Sequence, residues 1–147
     1  MTVLIGVLIF ILVIVLPAML RVVKEYERGV VLRFGRMSHV KQPGIRILIP
    51  YVDQMIRVDL RVVTMDVPKQ EMMTRDNVPA TIDAVVYFRV VEPESAVLRI
   101  ENYVRATALI AQTTLRATIG QALLDELLSE RDKLNEHLQD VIDDQTE

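Results

Sequence analysis

The first 20 residues, "MTVLIGVLIFILVIVLPAML", carry no charged side chain. An α-helix rises 1.5 Å per residue, so about 20 such residues match a hydrocarbon core of about 30 Å. Val22 and Val23 extend the apolar stretch past Arg21, whose long stem lets its charged head snorkel to the surface. The expectation is a retained anchor segment over residues 1–23. A cleaved signal peptide wants a basic n-region and a small-x-small cleavage site. Met1-Thr2 is a poor n-region, and Pro17-Ala18-Met19-Leu20 is a poor cleavage site. Pro17 keeps a re-entrant or angled insertion open beside a straight span.

Arg21, Lys24 and Arg28 follow this segment, and no Lys or Arg precedes it. The positive-inside rule then puts the remainder of the chain in the cytoplasm. The same three residues form a membrane-proximal basic collar, which favours anionic lipid by roughly 1 kcal/mol per basic residue near the surface. The net charge of −3 is unevenly spread: residues 1–124 carry +4 and residues 125–147 carry −7. The basic residues are scattered and aromatics make up 5%, which argues against a nucleic-acid partner. With no Cys in the chain, disulfides, thiol nucleophiles and thiolate metal sites are excluded.

From Tyr26 onward the pattern becomes β-like. "GVVLRFG" (29–35) is an apolar run between glycines and reads as a strand. "KQPGI" (41–45) has a Pro-Gly turn in which Gly44 supplies positive φ. "IRILI" (45–49) follows, and Ile47 and Ile49 are candidates for either the core or a lipid surface. "QMIRVDLRVVTMDV" (54–67) alternates and reads as one long strand or two with a bend. In "MTRDNVPATIDAVVYFRV" (73–90), Ile82, Ala84, Val86, Phe88 and Val90 share one face, a half-buried strand. The preceding Thr74-Arg75-Asp76-Asn77 is turn chemistry rather than an active site, because consecutive turn residues cannot converge on one substrate atom.

Glu92-Pro93-Glu94 ends the strand and starts a short helix. Asn102 is a candidate N-cap for the next helix, whose stripe is Val104, Ala108, Ala111, Leu115 and Thr118/Ile119, with Gly120 expected to close it. A third, acidic helix spans about 122–143. Its stripe holds Leu124, Leu127, Leu134, Leu138 and Val141, and Glu130 and Lys133 form one favourable pair. The excess acid makes this helix weak alone, so it needs a sheet or a neighbouring subunit. Leu127, Leu134, Leu138 and Val141 are the candidate oligomer contacts.

No catalytic, cofactor or metal motif is found. The five glycines are dispersed, GxSxG and HExxH do not occur, and His39 and His137 lie in different elements. His137 with Asp140 gives two metal ligands at most.

The order of the pieces is more specific than any one of them. An apolar N-terminus is followed by "YERGVVLRFGR", "PGIRILIPYVDQMIRVDLRVVTMDVP", "TRDNVPATIDAVVYFRVVEPESAVL", "ENYVRATALIAQTTLRATIG" and "LLSERDKLNEHLQDVIDDQT". This run, residues 20–146, resembles the stomatin branch of the SPFH/Band 7 superfamily (stomatin, prohibitin, flotillin, HflK/C). The resemblance implies an α+β fold: an N-terminal membrane helix, then an elongated SPFH domain over 24–147. That domain has a small, mostly antiparallel sheet with packed helices and ends in a long acidic amphipathic helix. It implies a non-enzymatic scaffold without cofactor, which forms large homo-oligomers and organises membrane microdomains or regulates neighbouring membrane proteins. The alternative it implies is a regulatory adaptor for a membrane protease, of NfeD type or AAA type. In stomatins the stretch ending like "DDQT" continues into a Trp-Gly segment, a further strand and a coiled coil. The sequence is therefore expected to be part of a longer chain.

Overall fold

The computed structural model describes residues 2–146. They fall into two units, residues 1–62 with 89–101 and residues 63–88 with 102–147.

The first unit holds α1 (Thr2–Met19), β1 (Leu20–Val23), β2 (Glu27–Arg33), β3 (Arg36–Lys41), β4 (Gly44–Ile47), β5 (Asp53–Asp59) and α2 (Pro93–Leu98). The helix does not cover the whole of residues 1–23, over which an anchor segment is expected. It stops at Met19, and Leu20–Val23 pair antiparallel with β4 in the register Leu20↔Ile47 to Val23↔Gly44. Val22 and Val23 therefore extend a strand and not the helix, as β-branched residues readily do. At 18 residues α1 is about 27 Å long. Among the described residues no helix is long and apolar enough to cross a membrane.

β3, β2 and β5 form an antiparallel sheet in that order, with β2 central. Val30 and Val31 of β2 are fully buried, and Val23, Leu48 and Val58 complete this small core. Gly29, also on β2, leaves room for Met55: a Cβ there would stand 2.6 Å from the Met55 sulfur. Gly44 takes φ +116°, as the Pro-Gly turn requires. β3 has no counterpart in the sequence reading, because "RMSHVK" does not alternate cleanly.

The second unit pairs β6 (Val63–Met73) with β7 (Pro79–Phe88), followed by α3 (Tyr103–Gln121), α4 (Leu124–Ser129) and α5 (Arg131–Thr146). β7 alternates strictly, its even positions half-buried and its odd ones exposed, as its period of two predicts. Val67, Ala111, Leu115 and Ile119 are the buried cluster, and Ile82, Val86, Leu127 and Leu138 pack onto it. Asn102 caps α3 by accepting the Arg105 N–H at 3.0 Å.

The 54–67 segment, which reads from sequence as one long strand or two with a bend, is two strands. Its break at Leu60–Val62 follows from Asp59, whose carboxylate accepts the Arg61 backbone N–H at 2.9 Å and closes an Asx turn. Gly120 does not end α3. The helix runs on to Gln121 and is closed by Ala122, in an extended conformation, bonding back to Ile119. The acidic helix is broken at Glu130 into α4 and α5. In place of one sheet there are three separate antiparallel sheets, of two, three and two strands.

Candidate functional site

The sequence drew attention to Thr74-Arg75-Asp76, and the structure makes it a joint. Thr74 is 3% exposed. Its N–H donates to Val78 O at 3.0 Å, and its Oγ1 accepts the Val78 N–H at 3.2 Å. The same hydroxyl donates to Asp76 Oδ1 at 2.5 Å. Asn77 takes φ +60°, which Asn tolerates. The turn also grips the α3–α4 connection: Arg75 N–H bonds Ala122 O at 3.0 Å, and Asp76 Oδ1 accepts the Leu124 N–H at 3.3 Å. The Thr74 hydroxyl beside Asp76 holds its carboxyl below the ordinary range, with the Leu124 N–H adding to the effect. The Thr74 hydroxyl and the Asp76 carboxylate are thus both engaged in holding the turn and the α3–α4 connection.

The three residues of the basic collar have different partners. Arg28, on β2, donates its guanidinium to its neighbours' carbonyls, Glu25 O at 3.0 Å and Glu27 O at 2.9 Å. Lys24 lies 5.4 Å from the centroid of the Tyr26 ring, which Arg61 covers at 4.1 Å. The Lys24 ammonium is held above its ordinary pKa by Tyr26 first and then by Glu27, while Arg57 pulls it the other way.

Arg21 takes a different place. It lines an open recess of about 500 Å³ at the foot of α1. Ala18 of the last helical turn, Leu48 and Met55 give the recess apolar walls, and Arg57 of β5 brings a second guanidinium. Neither Arg21 nor Arg57 makes an ion pair among the described residues. Asp53 also reaches the recess, but its carboxylate is engaged elsewhere. It binds Arg33 through two bonds of 2.8 and 3.1 Å and accepts the Ile49 N–H at 3.2 Å. These contacts, Arg33 foremost, hold its pKa down from 3.8 to about 2.

Two exposed aromatics stand at the same end of this unit. Phe34 and Gly35 both take positive φ, at 51° and 76°, in the two-residue turn between β2 and β3. Tyr51, at φ 69°, tips the β4–β5 turn and lines the recess. Phe34 N–H bonds Val52 O at 3.2 Å, so the two tips are tied together. Left-handed backbone is uncommon for bulky side chains and costs about 1–3 kcal/mol. Burial does not offset it here: Phe34 is 81% and Tyr51 107% exposed. The sequence reading passed over both. The available signal was an aromatic next to Gly35 and another after Pro50, each in a turn where a small polar residue is usual.

Leu20 and Val22 of β1 face Ile47 and Ile45 of β4 across the ladder, and all four are exposed. In the other unit, Leu127, Leu134, Leu138 and Val141 are all half-buried, with Leu127 and Leu138 against the unit's own core. Val141 and His137 line a shallower recess of about 220 Å³ beside Thr113 and Thr114. No group of three or more metal-ligating side chains stands together among the described residues.

Comparison with known proteins gives these features a context. The family model described as "SPFH domain / Band 7 family" matches residues 21–147. An uncharacterised protein of Archaeoglobus fulgidus is 55% identical over 142 residues, covering 97% of this chain and 57% of that protein. A stomatin homolog of Pyrococcus horikoshii is 53% identical over 141 residues, 96% of this chain and 53% of its own. Mouse stomatin is 42% identical over 130 residues, 87% of this chain and 46% of its own. The chain thus spans about half the length of the curated relatives it matches.

Proposed function

The chain belongs to the SPFH domain/Band 7 family as a stomatin-like member, and from that premise we propose that it is a membrane-anchored, non-enzymatic scaffold that assembles with its own copies. The observation that carries this reading is α1. Its large apolar residues from Val3 to Leu16 are 36–79% exposed, on every side of the helix. A helix apolar all round belongs in a protein core or in lipid. Each such side chain left in water forgoes about 1.5–3 kcal/mol of burial, and soluble monomers rarely expose an apolar surface of this extent. Lipid around α1 satisfies all of them at once. The exposed β1–β4 ladder and the aromatic tips Phe34 and Tyr51 fit the same surroundings, since aromatics are favoured at the bilayer interface. Arg21, two residues after the helix, favours the cytoplasmic side for the folded part. The half-buried stripe of α4 and α5, with Leu134 and Val141, is the proposed contact between copies. Organisation of membrane patches would follow from anchoring and assembly together.

Flotation tests the anchor. The full chain reconstituted with phosphatidylcholine vesicles is expected to float and to remain with them after an alkaline wash. A variant lacking residues 2–19 is expected to stay in the bottom fraction. A full chain that the wash removes would overturn the anchor.

A further inference from the structure

The recess at the foot of α1 has a composition that membrane anchoring alone does not require. We propose that it is a binding site for the phosphate of an anionic glycerophospholipid, held between the guanidiniums of Arg21 and Arg57. The inference rests on the reading of α1 as lipid-embedded.

Arg21 stands on β1 and Arg57 on β5, in two different ladders, and the fold brings both to one cavity of about 500 Å³. That volume is in the range of small-ligand sites. Guanidiniums stay charged at any relevant pH and present a fork that matches phosphate oxygens. Both line one recess and neither has an ion-pair partner among the described residues, so an anion entering it would meet uncompensated positive charge. The nearby carboxylate does not supply that anion, because Asp53 is bound by Arg33 at 2.8 Å and its side chain is 3% exposed.

The walls distinguish a lipid from a free anion. Ala18, Leu48 and Met55 give the charged pair an apolar border. Ala18 lies in the last turn of α1, so chains leaving a bound phosphate would run directly onto the exposed side chains of that helix. Tyr51 stands at the lip, fully exposed, with a ring suited to headgroup depth. With Asp53 engaged, no free carboxylate at the recess is available to receive the cation of a zwitterionic headgroup. Net-anionic lipids are therefore preferred.

The test compares phosphatidylcholine vesicles with vesicles doped with phosphatidylglycerol, using the full chain. The double variant Arg21→Gln/Arg57→Gln is set against a control, Arg36→Gln/Arg99→Gln, which removes the same charge from exposed positions outside the recess. Wild type and control should prefer the doped vesicles. The double variant should lose about tenfold of that preference and still bind pure phosphatidylcholine through α1. A double variant that keeps the preference, or a control that loses as much, would overturn the site. Suppression of the preference by soluble glycerol phosphate would also overturn it, by making a free phosphate the ligand. Wild type that fails on pure phosphatidylcholine would instead bring down the anchor, and this inference with it.

Discussion

Thr74 shows how much one hydroxyl can hold. It accepts the Val78 N–H, donates to Asp76, and through Asp76 reaches the start of α4. Valine has nearly the same shape and none of these bonds. Thr74→Val would leave the Val78 N–H without its side-chain partner at a buried position. We expect the unfolding free energy to fall by about 1–3 kcal/mol, read from urea denaturation, with Thr74→Ser close to wild type. A Thr74→Val midpoint equal to wild type would remove the joint from the account. The turn itself was legible, since Asp and Asn before an alternating run announce one. The reach of Asp76 to Leu124, 48 residues on, was not, because no local pattern encodes a tertiary partner. The same limit hid the recess. In the sequence Arg21 is one of three basic residues near the apolar stretch and Arg57 one more charged residue of an alternating strand, and nothing local places both at one recess.

At the scale of elements, the strongest periodic signals survived and the weak ones did not. β7 and the N-cap of α3 follow the sequence directly. β3 lacked alternation, and the α4–α5 break at Glu130 carries neither Gly nor Pro to announce it. The β4–β5 turn is an element held by charge. Its residues Ile49 and Asp53 are joined by the Asp53 N–H to Ile49 O at 2.9 Å and by the Ile49 N–H to the Asp53 carboxylate. Folding lowers the Asp53 pKa from 3.8 to about 2. A depressed carboxyl pKa stabilises the folded state above the unfolded value, and this contribution is lost as pH falls through the folded one. Unfolding midpoints followed from pH 6 down to pH 2 should therefore drop between about pH 4 and pH 2. Asp53→Asn should flatten that limb, and an unchanged limb would show that the turn does not depend on the ion pair with Arg33.

For the whole molecule, each unit is small and, among the described residues, relies on few buried apolar side chains. The first unit centres on five, Val23, Val30, Val31, Leu48 and Val58. Cores this modest gain from association. Light scattering of the detergent-extracted chain should report a particle of many copies. Leu134→Glu/Val141→Glu should reduce its mass toward that of one chain, and a wild-type monomer would remove the α4–α5 stripe from the proposed assembly.

The junction between α1 and β1 has a mechanical consequence. Met19 closes the helix and Leu20 opens the strand, with Leu48 N–H bonded to Met19 O at 2.8 Å across the seam. A helix on a flexible tether can tilt or rotate while its cargo stays still. Here there is no slack. An inserted residue would turn α1 by about 100° and send every β1 side chain to the opposite face. With α1 lipid-embedded as proposed, a tilt or rotation of the helix would pass straight into the β1–β4 ladder rather than being absorbed by a tether.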